Sequence, residues 1–469
     1  MARIMTAEEK HRMMMEEPVE RLISSLAVPT IVSMLVTSVY NMADTFFVSR
    51  ISTSASGAVG IAFSVMAIIQ AIGFTFGSGS GNYISRLLGR KDRQHAAKVA
   101  ATGFLSAFGL GAVLAVLGLL FLDPLVYLLG ATDTIAPYAK DYLRFILIGA
   151  PYMASSFVLN QVLRFQGSAY YGALGISVGG ILNIILDPIF IFGLDMGIAG
   201  AAIATIISQL VSFVILVRNC GLDGNIHIRF KNFTPRWEIY RQIFRGGLPS
   251  FYRQTLASTA MIFLNLNAGQ FGDAAIAAMA IINRVFMFAA SAVIGFGQGF
   301  QPVCGFNYGA KRHDRVLRAF WFTAKTAIAV LIVLSMLGIA WAPKIMALFR
   351  KEDLEVISIG AYALRLRALT FPLSAWIIAV NMLLQTIGKS AQASLVAISR
   401  QGLFFLPAIW LLPQKWGLLG VQISQPVADI CSFIVALVLG VSVLRELESR
   451  QREHGCERDE TEISKGATL

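Results

Sequence analysis

The sequence predicts an all-α integral membrane protein with twelve transmembrane helices, arranged as two pseudo-symmetric six-helix bundles. Three observations predict this fold: an apolar composition, twelve long hydrophobic runs and an internal repeat. Of the 469 residues, 56% are hydrophobic and 14% are charged, and the mean hydropathy is +0.66. Soluble globular chains do not reach such values, so the composition places this chain in a membrane.

Each hydrophobic run is long enough to cross a bilayer, which takes about 20 apolar residues in a helix. The runs lie at roughly 23–48, 55–82, 99–122, 142–163, 171–194, 198–217, 247–271, 275–303, 319–342, 361–386, 391–412 and 418–443. Lysines and arginines are concentrated in the loops after the second, sixth and eighth runs and are not interleaved with aromatic residues. This distribution indicates membrane topology rather than nucleic-acid binding, and it predicts that these loops and both termini are cytoplasmic.

The second half of the chain repeats the first at a shift of 220 or 221 residues. Matching pairs include Pro29 and Pro249, Gly77 and Gly297, Lys91 and Lys311, Pro151 and Pro372, Asn160 and Asn381, and Gly200 and Gly420. Because each copy has six spans, both copies enter the membrane in the same direction and form parallel repeats. The predicted segments are a cytoplasmic N-terminal segment 1–21, an N-lobe 22–217, a cytoplasmic linker 218–246, a C-lobe 247–445 and a cytoplasmic C-terminal tail 446–469.

The first run contains two residues that are costly in a membrane helix, Pro29 and Asp44. Proline removes a helical hydrogen bond and kinks the chain, and an intramembrane carboxylate indicates a functional site by default. Pro29 recurs in the repeat, so we interpret it as a hinge of the shared architecture. The acidic chemistry belongs to the N-lobe alone, because the positions equivalent to Asp44, Asn183 and Asp187 hold Leu264, Phe404 and Ala408.

The polar side chains of the N-lobe are predicted to lie at similar depth. At about 1.5 Å of rise per residue, Asp44 lies roughly 9 Å, Asp187 roughly 12 Å and Thr205 roughly 13 Å from the outer ends of their helices. Asn183 is one turn from Asp187 on the same face, and Asn160 is expected to join them if the lobe is closely packed. These oxygens suit a hard monovalent cation such as Na⁺, or a proton shared between the carboxylates. Alternatively, Asp187 merely caps a helix break and Asp44 hydrogen-bonds to a neighbouring helix.

The C-lobe carries different charges. Arg284, Arg400 and Asp429 fall at comparable depth, roughly 15–18 Å from the outer side. They are consistent with a buried ion pair, or with a role in substrate binding or coupling. The depth of Arg253 is ambiguous, because a residue near the cytoplasmic end of its run can snorkel to the interface. The scattered cysteines and histidines predict no disulfide, no cofactor and no metal centre other than Na⁺ at Asp44 and Asp187.

Three segments carry a resemblance to a known family: 40–45 (YNMADT), 183–190 (NIILDPIF) and 197–205 (GIAGAAIAT), together with the proline of the first run. With these motifs, the chain from about residue 22 to residue 445 resembles the multidrug and toxic compound extrusion (MATE) transporters. It is most similar to the prokaryotic branch that includes the DNA-damage-inducible-F and MepA-type proteins. Residue by residue, the cation-binding and coupling site of that branch is matched by Asp44, Asn160, Asn183, Asp187 and Thr205.

The resemblance implies a V-shaped pair of bundles around a central cleft. It implies a secondary active multidrug efflux antiporter that exports organic compounds, often cationic and amphipathic, in exchange for Na⁺ or H⁺ by alternating access. Such a protein is a multi-pass monomer of the bacterial cytoplasmic (inner) membrane, and its partners are small organic substrates and lipid rather than nucleic acid. It is not an enzyme.

Other functions stay open at the level of sequence. A lipid or lipid-linked oligosaccharide flippase of the same superfamily is the main alternative, although flippases of cell-wall precursors commonly have more spans. A membrane enzyme would need a nucleophile, a metal cluster or a paired acid and base near a membrane face, and the sequence shows none of these. A channel is a third class, which saturable and gradient-coupled flux would exclude.

Overall fold

The computed structural model describes residues 5–349 and 353–466, and this part of the chain is helical without strands. The first half contains α1 Ala7–Glu16, α2 Val19–Ser49, α3 Thr53–Gly89, α4 Arg93–Leu120, α5 Leu122–Leu128, α6 Ala136–Phe165, α7 Ala169–Pro188 and α8 Gly197–Cys220, with a π-helical turn Ile189–Gly193 after α7. A short 3₁₀ turn, Phe230–Asn232, lies between the halves. The second half contains α9 Trp237–Gly269, α10 Asp273–Gly309, α11 His313–Phe349, α12 Leu354–Ile387, α13 Ser390–Ile398, a π-helical segment Ser399–Phe405, α14 Leu406–Trp416 and α15 Leu418–Gly466.

Eleven helical segments of the described chain are long and apolar enough to cross a membrane. The twelfth predicted span is α9, whose hydropathy is lowered by polar side chains such as Arg253 and Gln254. Helix α9 has 33 residues, which corresponds to about 50 Å at 1.5 Å per residue, and it packs along α3. Because its place in the repeat is that of α2, α9 completes the second bundle of six. Helices α8 and α9 both extend into the predicted linker, and 221–236 connects them.

The two bundles touch near one end, which we call the basic side because it carries the loops around residues 90–93 and 310–313. Glycines allow the close approach. Gly299 of α10 lies against Ala27 of α2, and a Cβ added at Gly299 would come within 2.7 Å of the Ala27 backbone. Gly247 of α9 lies against Thr75 of α3, where an added Cβ would be 2.1 Å from the carbonyl oxygen. Small residues at such crossings let membrane helices pack tightly.

Toward the opposite side the bundles separate. The hydroxyls of Ser38 on α2 and Ser291 on α10 still lie 3.3 Å apart. Farther along the same two helices, the large side chains of Met42, Phe46 and Met287 are exposed. A cleft between the bundles therefore opens on the side opposite the basic loops.

Helix α1 lies across the basic side and is anchored to the first lobe. It begins with a capping box formed by Thr6 and Glu9, which satisfies otherwise unpaired backbone donors. The Lys10 Nζ donates to Ser168 Oγ at 2.8 Å and to Asn225 Oδ1. Burial lowers the pKa of Lys10 from 10.5 to about 8, because desolvation disfavours the charged amine.

The same helix is also anchored to the second lobe. Met14 is fully buried in an apolar cluster that includes side chains of α10 and α11. The Asn307 side chain donates to the Met14 carbonyl at 3.2 Å, and Arg315 donates to the Glu17 carbonyl at 2.6 Å. The N-terminal segment 1–21 thus contains a helix that connects both lobes where they meet.

Candidate functional site

Polar side chains from α7 and α8 meet inside the N-lobe. The Asn183 Nδ2 donates to Asp187 Oδ1 at 3.1 Å and to Thr205 Oγ1 at 3.4 Å. All three side chains are buried, and Asp187 is 0% exposed. Asn183 and Asp187 share one face of α7 because they are one turn apart. Helix α7 then ends at Pro188 and continues as the π-helical turn, so the carboxylate lies where the regular helix stops.

Asp44 joins this cluster from α2, since Tyr142 of α6 lies near both Asp44 and Asp187. In the described part of the chain, Asp44 Oδ1, Asn183 Oδ1 and Asp187 Oδ2 are buried without a hydrogen-bond donor. An unsatisfied buried polar group costs about 1–3 kcal/mol, so three such oxygens in one cluster favour a bound cation or proton. The alternative roles were that Asp187 caps a helix break and that Asp44 hydrogen-bonds to a neighbouring helix. Asp187 accepts a hydrogen bond from Asn183 of its own helix, and the buried Oδ1 of Asp44 has no hydrogen bond to a neighbouring helix of the described chain.

Two tyrosines that the sequence analysis missed border the cluster. Tyr142 is 1% exposed and its hydroxyl lies beside Thr205. Tyr40 lies one turn before Asp44 on α2, and its hydroxyl faces Gln209 of α8. The spacing of Tyr40 to Asp44 was a usable signal. Tyr142 carried no charge to mark it, so its place could not be found without the packing of α6.

Asn160 lies elsewhere in the N-lobe. A Cβ added at Gly172 would be 3.1 Å from the Asn160 Nδ2, so Asn160 packs near the start of α7. Gly172 precedes Asn183 by eleven residues on this helix, which corresponds to roughly 16 Å. The structure therefore does not bring Asn160 into the cluster of Asp44, Asn183, Asp187 and Thr205.

In the C-lobe the structure shows a buried ion pair. Arg400 Nε donates to Asp429 Oδ1 at 2.8 Å, and another nitrogen of Arg400 donates to Ser374 Oγ at 2.8 Å. Gln425 donates to the same Asp429 oxygen at 3.0 Å. Arg284 does not take part: its side chain is exposed, and within the described residues it forms no ion pair.

A second arginine of the C-lobe cluster is Arg367, which the sequence analysis missed. It donates to Asn283 Oδ1, and its guanidinium lies 4.6 Å from the ring centre of Phe286. Its charge interacts with those of Arg400 and Asp429. The cluster therefore holds two guanidinium groups and one carboxylate.

Comparison with known proteins identifies the family. The MatE family model matches residues 29–189 and 249–411 of the sequence. The chain belongs to the MatE family. The two matched segments of this MatE protein begin at Pro29 and Pro249, the first pair of the internal repeat, and they cover most of both lobes. The resemblance to the MATE transporters is thus confirmed.

Relatives of this MatE protein include the multidrug export protein MepA of Staphylococcus aureus (strain MSSA476), which is 27% identical over 435 residues, or 92% of this chain and 95% of the relative. MepA of Staphylococcus haemolyticus (strain JCSC1435) is 27% identical over 433 residues, or 90% and 94% of the two chains. An outward-facing structure of a multidrug resistance MATE family transporter of the MOP superfamily superposes with a TM-score of 0.88 at 27% identity, over 93% of this chain and 98% of that chain.

Two further solved structures differ in the conformation named for them. A MATE in the straight conformation gives a TM-score of 0.86 over 93% of this MatE chain and 98% of that chain, at 27% identity. A MATE in the bent conformation gives 0.86 over 95% and 99%, also at 27% identity. Together these structures confirm the predicted all-α membrane fold with two bundles.

Proposed function

We propose that this MatE family protein is a secondary active multidrug efflux antiporter that exchanges organic compounds for Na⁺ or H⁺. The observation that carries the proposal is the group of three buried oxygens without a donor, on Asp44, Asn183 and Asp187. Two carboxylates, an amide oxygen and the Thr205 hydroxyl form an all-oxygen set, which suits a hard cation. The names of the MepA relatives support multidrug export and do not favour the flippase alternative.

The proposed coupling runs through α2, which carries Asp44 in one half and Pro29 in the other. A cation between Asp44 and Asp187 neutralises their mutual repulsion and draws α2 toward α7 and α8. A change of bend at Pro29 then alters the wall of the cleft, since α2 also packs against α10 of the other lobe. Exchange follows only if cation and substrate prefer different conformers, because a ligand shifts an equilibrium by its differential affinity.

In this proposal the protein is a multi-pass monomer of the bacterial cytoplasmic membrane. The basic side and both termini face the cytoplasm, as basic loops do in membrane proteins, so the cleft described above opens to the outside. Its role is transport without covalent chemistry, without a cofactor and with the coupling ion as its only inorganic ligand. Pro29 acts as the hinge, and the cation site comprises Asp44, Asn183, Asp187 and Thr205.

The test is uphill transport of an organic cation dye in proteoliposomes, with Na⁺ and pH gradients imposed separately. We expect one of the two gradients to drive the native protein and the variants Asp44→Asn and Asp187→Asn to lose coupled transport. Asp141→Asn removes an exposed acid at a surface ion pair on α6 and is the matched control. If either site variant pumps dye at the native rate, the cation site is elsewhere and the proposal fails.

A further inference from the structure

Arg253 of α9, whose depth is ambiguous from sequence, lies at the middle of the membrane region. Its neighbour Gln254 donates to Gln70 of α3 at 3.3 Å. Gln70 is seventeen residues after the start of α3, which has 37 residues, so this level is close to the centre of the helix. The Arg253 side chain is nevertheless exposed.

Arg164 of α6 is the charged neighbour of Arg253, and it belongs to the other lobe. Arg253 therefore faces the space between the lobes. Arg164 is 2% exposed and its guanidinium lies 4.6 Å from the ring centre of Phe165. One of its nitrogens donates to Gln161, whereas Nε and Nη1 are buried without an acceptor. Across residues 5–349 and 353–466, neither arginine forms an ion pair with a carboxylate.

Two like charges in this position are unfavourable. Removing an ion from water costs several kcal/mol unless an opposite charge compensates it, and here the nearest charge adds repulsion. Intramembrane arginines usually pair or mark a substrate pathway. The unsatisfied Nε and Nη1 of Arg164 indicate that the missing partner is an acceptor, and the charge indicates that it is an anion.

The repeat shows that the fold itself does not require these charges. The position equivalent to Arg164 is Gln385, which donates to the Gly246 carbonyl at 2.7 Å and to Ser250 Oγ at 2.8 Å. The position equivalent to Arg253 is Ser33, which donates to a carbonyl of its own helix. Both equivalents are neutral and satisfied, so the two guanidinium groups are specific additions to a shared architecture.

We propose that the floor of the cleft is an anion subsite, in which Arg253 and Arg164 hold the carboxylate or other acidic group of a transported organic compound. The proposal rests on the transport function proposed above and adds compounds with an acidic group, organic anions and zwitterions, to its substrates. Arg253 meets the acidic group from the cleft, and Arg164 has two unsatisfied charged donors, Nε and Nη1, which form strong hydrogen bonds to anionic acceptors. A bound anion replaces the repulsion between the lobes with attraction to each of them.

The test is equilibrium binding to the purified full-length protein in detergent, measured by fluorescence anisotropy. The probes are a rhodamine with a free benzoate and its ethyl ester, which share one cationic ring system and differ in a single acidic group. We expect the free acid to bind at least about tenfold more tightly than the ester, since a tenfold ratio needs only about 1.4 kcal/mol. Arg253→Gln and Arg164→Gln should remove this preference and leave ester binding within about twofold, and Arg253→Lys should keep part of it.

Arg365→Gln, which removes an exposed arginine of α12, is the control and should bind both probes as the native protein does. Equal affinity of the native protein for acid and ester, or equal loss of both probes in the Arg253 variants, overturns the proposal. Repeating the measurement in nanodiscs distinguishes a lipid phosphate from a soluble substrate as the bound anion. If the preference for the free acid is lost when phosphatidylglycerol replaces phosphatidylcholine, the arginines bind lipid and the proposal is overturned. Gradient-driven uptake of the ester tests the antiport proposal independently, because the ester lacks the acidic group.

Discussion

Replacing Met14 with alanine should weaken the closure of the basic side. Met14 is 0% exposed and packs in the cluster formed with α10 and α11. Its methyl group also approaches the first lobe, since a Cβ added at Gly167 would be 2.5 Å from the Met14 Cε. Truncation of a buried methionine to alanine costs about 2–5 kcal/mol. Because Met14 contacts both lobes where they meet, we expect this loss to fall on the closed conformer.

The effect on populations follows from the same range. A loss of about 2 kcal/mol changes the ratio of two conformers roughly 30-fold. A conformer that is populated at about 1% in the native protein would then rise to about a fifth of the molecules or more. Losses at the upper end of the range would make it the major form.

Pulsed electron paramagnetic resonance between spin labels at Asp133 and Lys415 measures this shift, because these exposed residues lie in the two lobes on the side of the open cleft. The native protein should show one long distance, and Met14→Ala should add a shorter one as the cleft closes. The control is Met15→Ala, which changes the neighbouring, partly exposed methionine. An unchanged distance distribution together with a lower melting temperature would refute the reasoning, since Met14 would then stabilise the fold without acting on the closure.

Three further outcomes are expected. Gly247→Ala forces α3 and α9 apart, because the added Cβ would be 2.1 Å from a carbonyl oxygen. The melting temperature of this variant should fall well below that of the control Gly109→Ala, in which the added Cβ meets nothing within 4 Å. Equal melting temperatures of the two variants would contradict the close packing. Asp429→Asn leaves Arg400 without its carboxylate and should cost about 3–5 kcal/mol of stability in denaturant unfolding, of which Arg400→Gln in the same chain should recover part. Docking of α1 should strengthen as pH rises from about 8 toward 10.5, because undocked Lys10 keeps its proton over this range while docked Lys10 loses it. A spin label at Glu8 should therefore become less mobile as pH rises. A label that becomes more mobile would show that docking weakens and would contradict this prediction.

Much of the fold could be predicted because hydrophobic length and the repeat are properties of the sequence itself. The span in α9 was predicted from the apolar run 247–271, and its place in the repeat supports it, although α9 is not among the eleven segments of the described chain that are apolar enough along their length to cross a membrane. Helix α1 could be predicted only in part. The spacing of Thr6 and Glu9 predicts a helix start, but the docking of this helix depends on Ser168 and Asn225, which are remote in sequence. Such contacts are set by tertiary packing, which a local pattern does not encode.

The charged residues of the candidate site could be predicted from the sequence, because a charge inside an apolar run stands out. Asp187 and Asp44 were singled out because a carboxylate in an apolar run is expensive, and counting residues from the outer ends of their helices placed them at similar depth. Asn160 carries no such constraint, and its motif match does not give its distance from the cluster, which the structure shows to be large. The depth of Arg253 could not be predicted for a different reason: an arginine can snorkel, so its depth stays ambiguous until a neighbour such as Gln254 fixes the level.

The opposite charges of the two proposed sites indicate how the cation and the substrate influence one another without touching. Asp44 and Asp187 make the cation site negative, whereas Arg164 and Arg253 make the floor of the cleft positive, and a zwitterion in the cleft is oriented by both. If both proposals hold, a cation at the acids removes the attraction for the positive end of the substrate and leaves the anion subsite unchanged. The cation then weakens substrate binding through charge, and reciprocity requires the substrate to weaken cation binding by the same factor. Opposed binding of this kind is what an exchanger needs, and it acts together with the change of bend at Pro29 that couples Asp44 to the cleft wall.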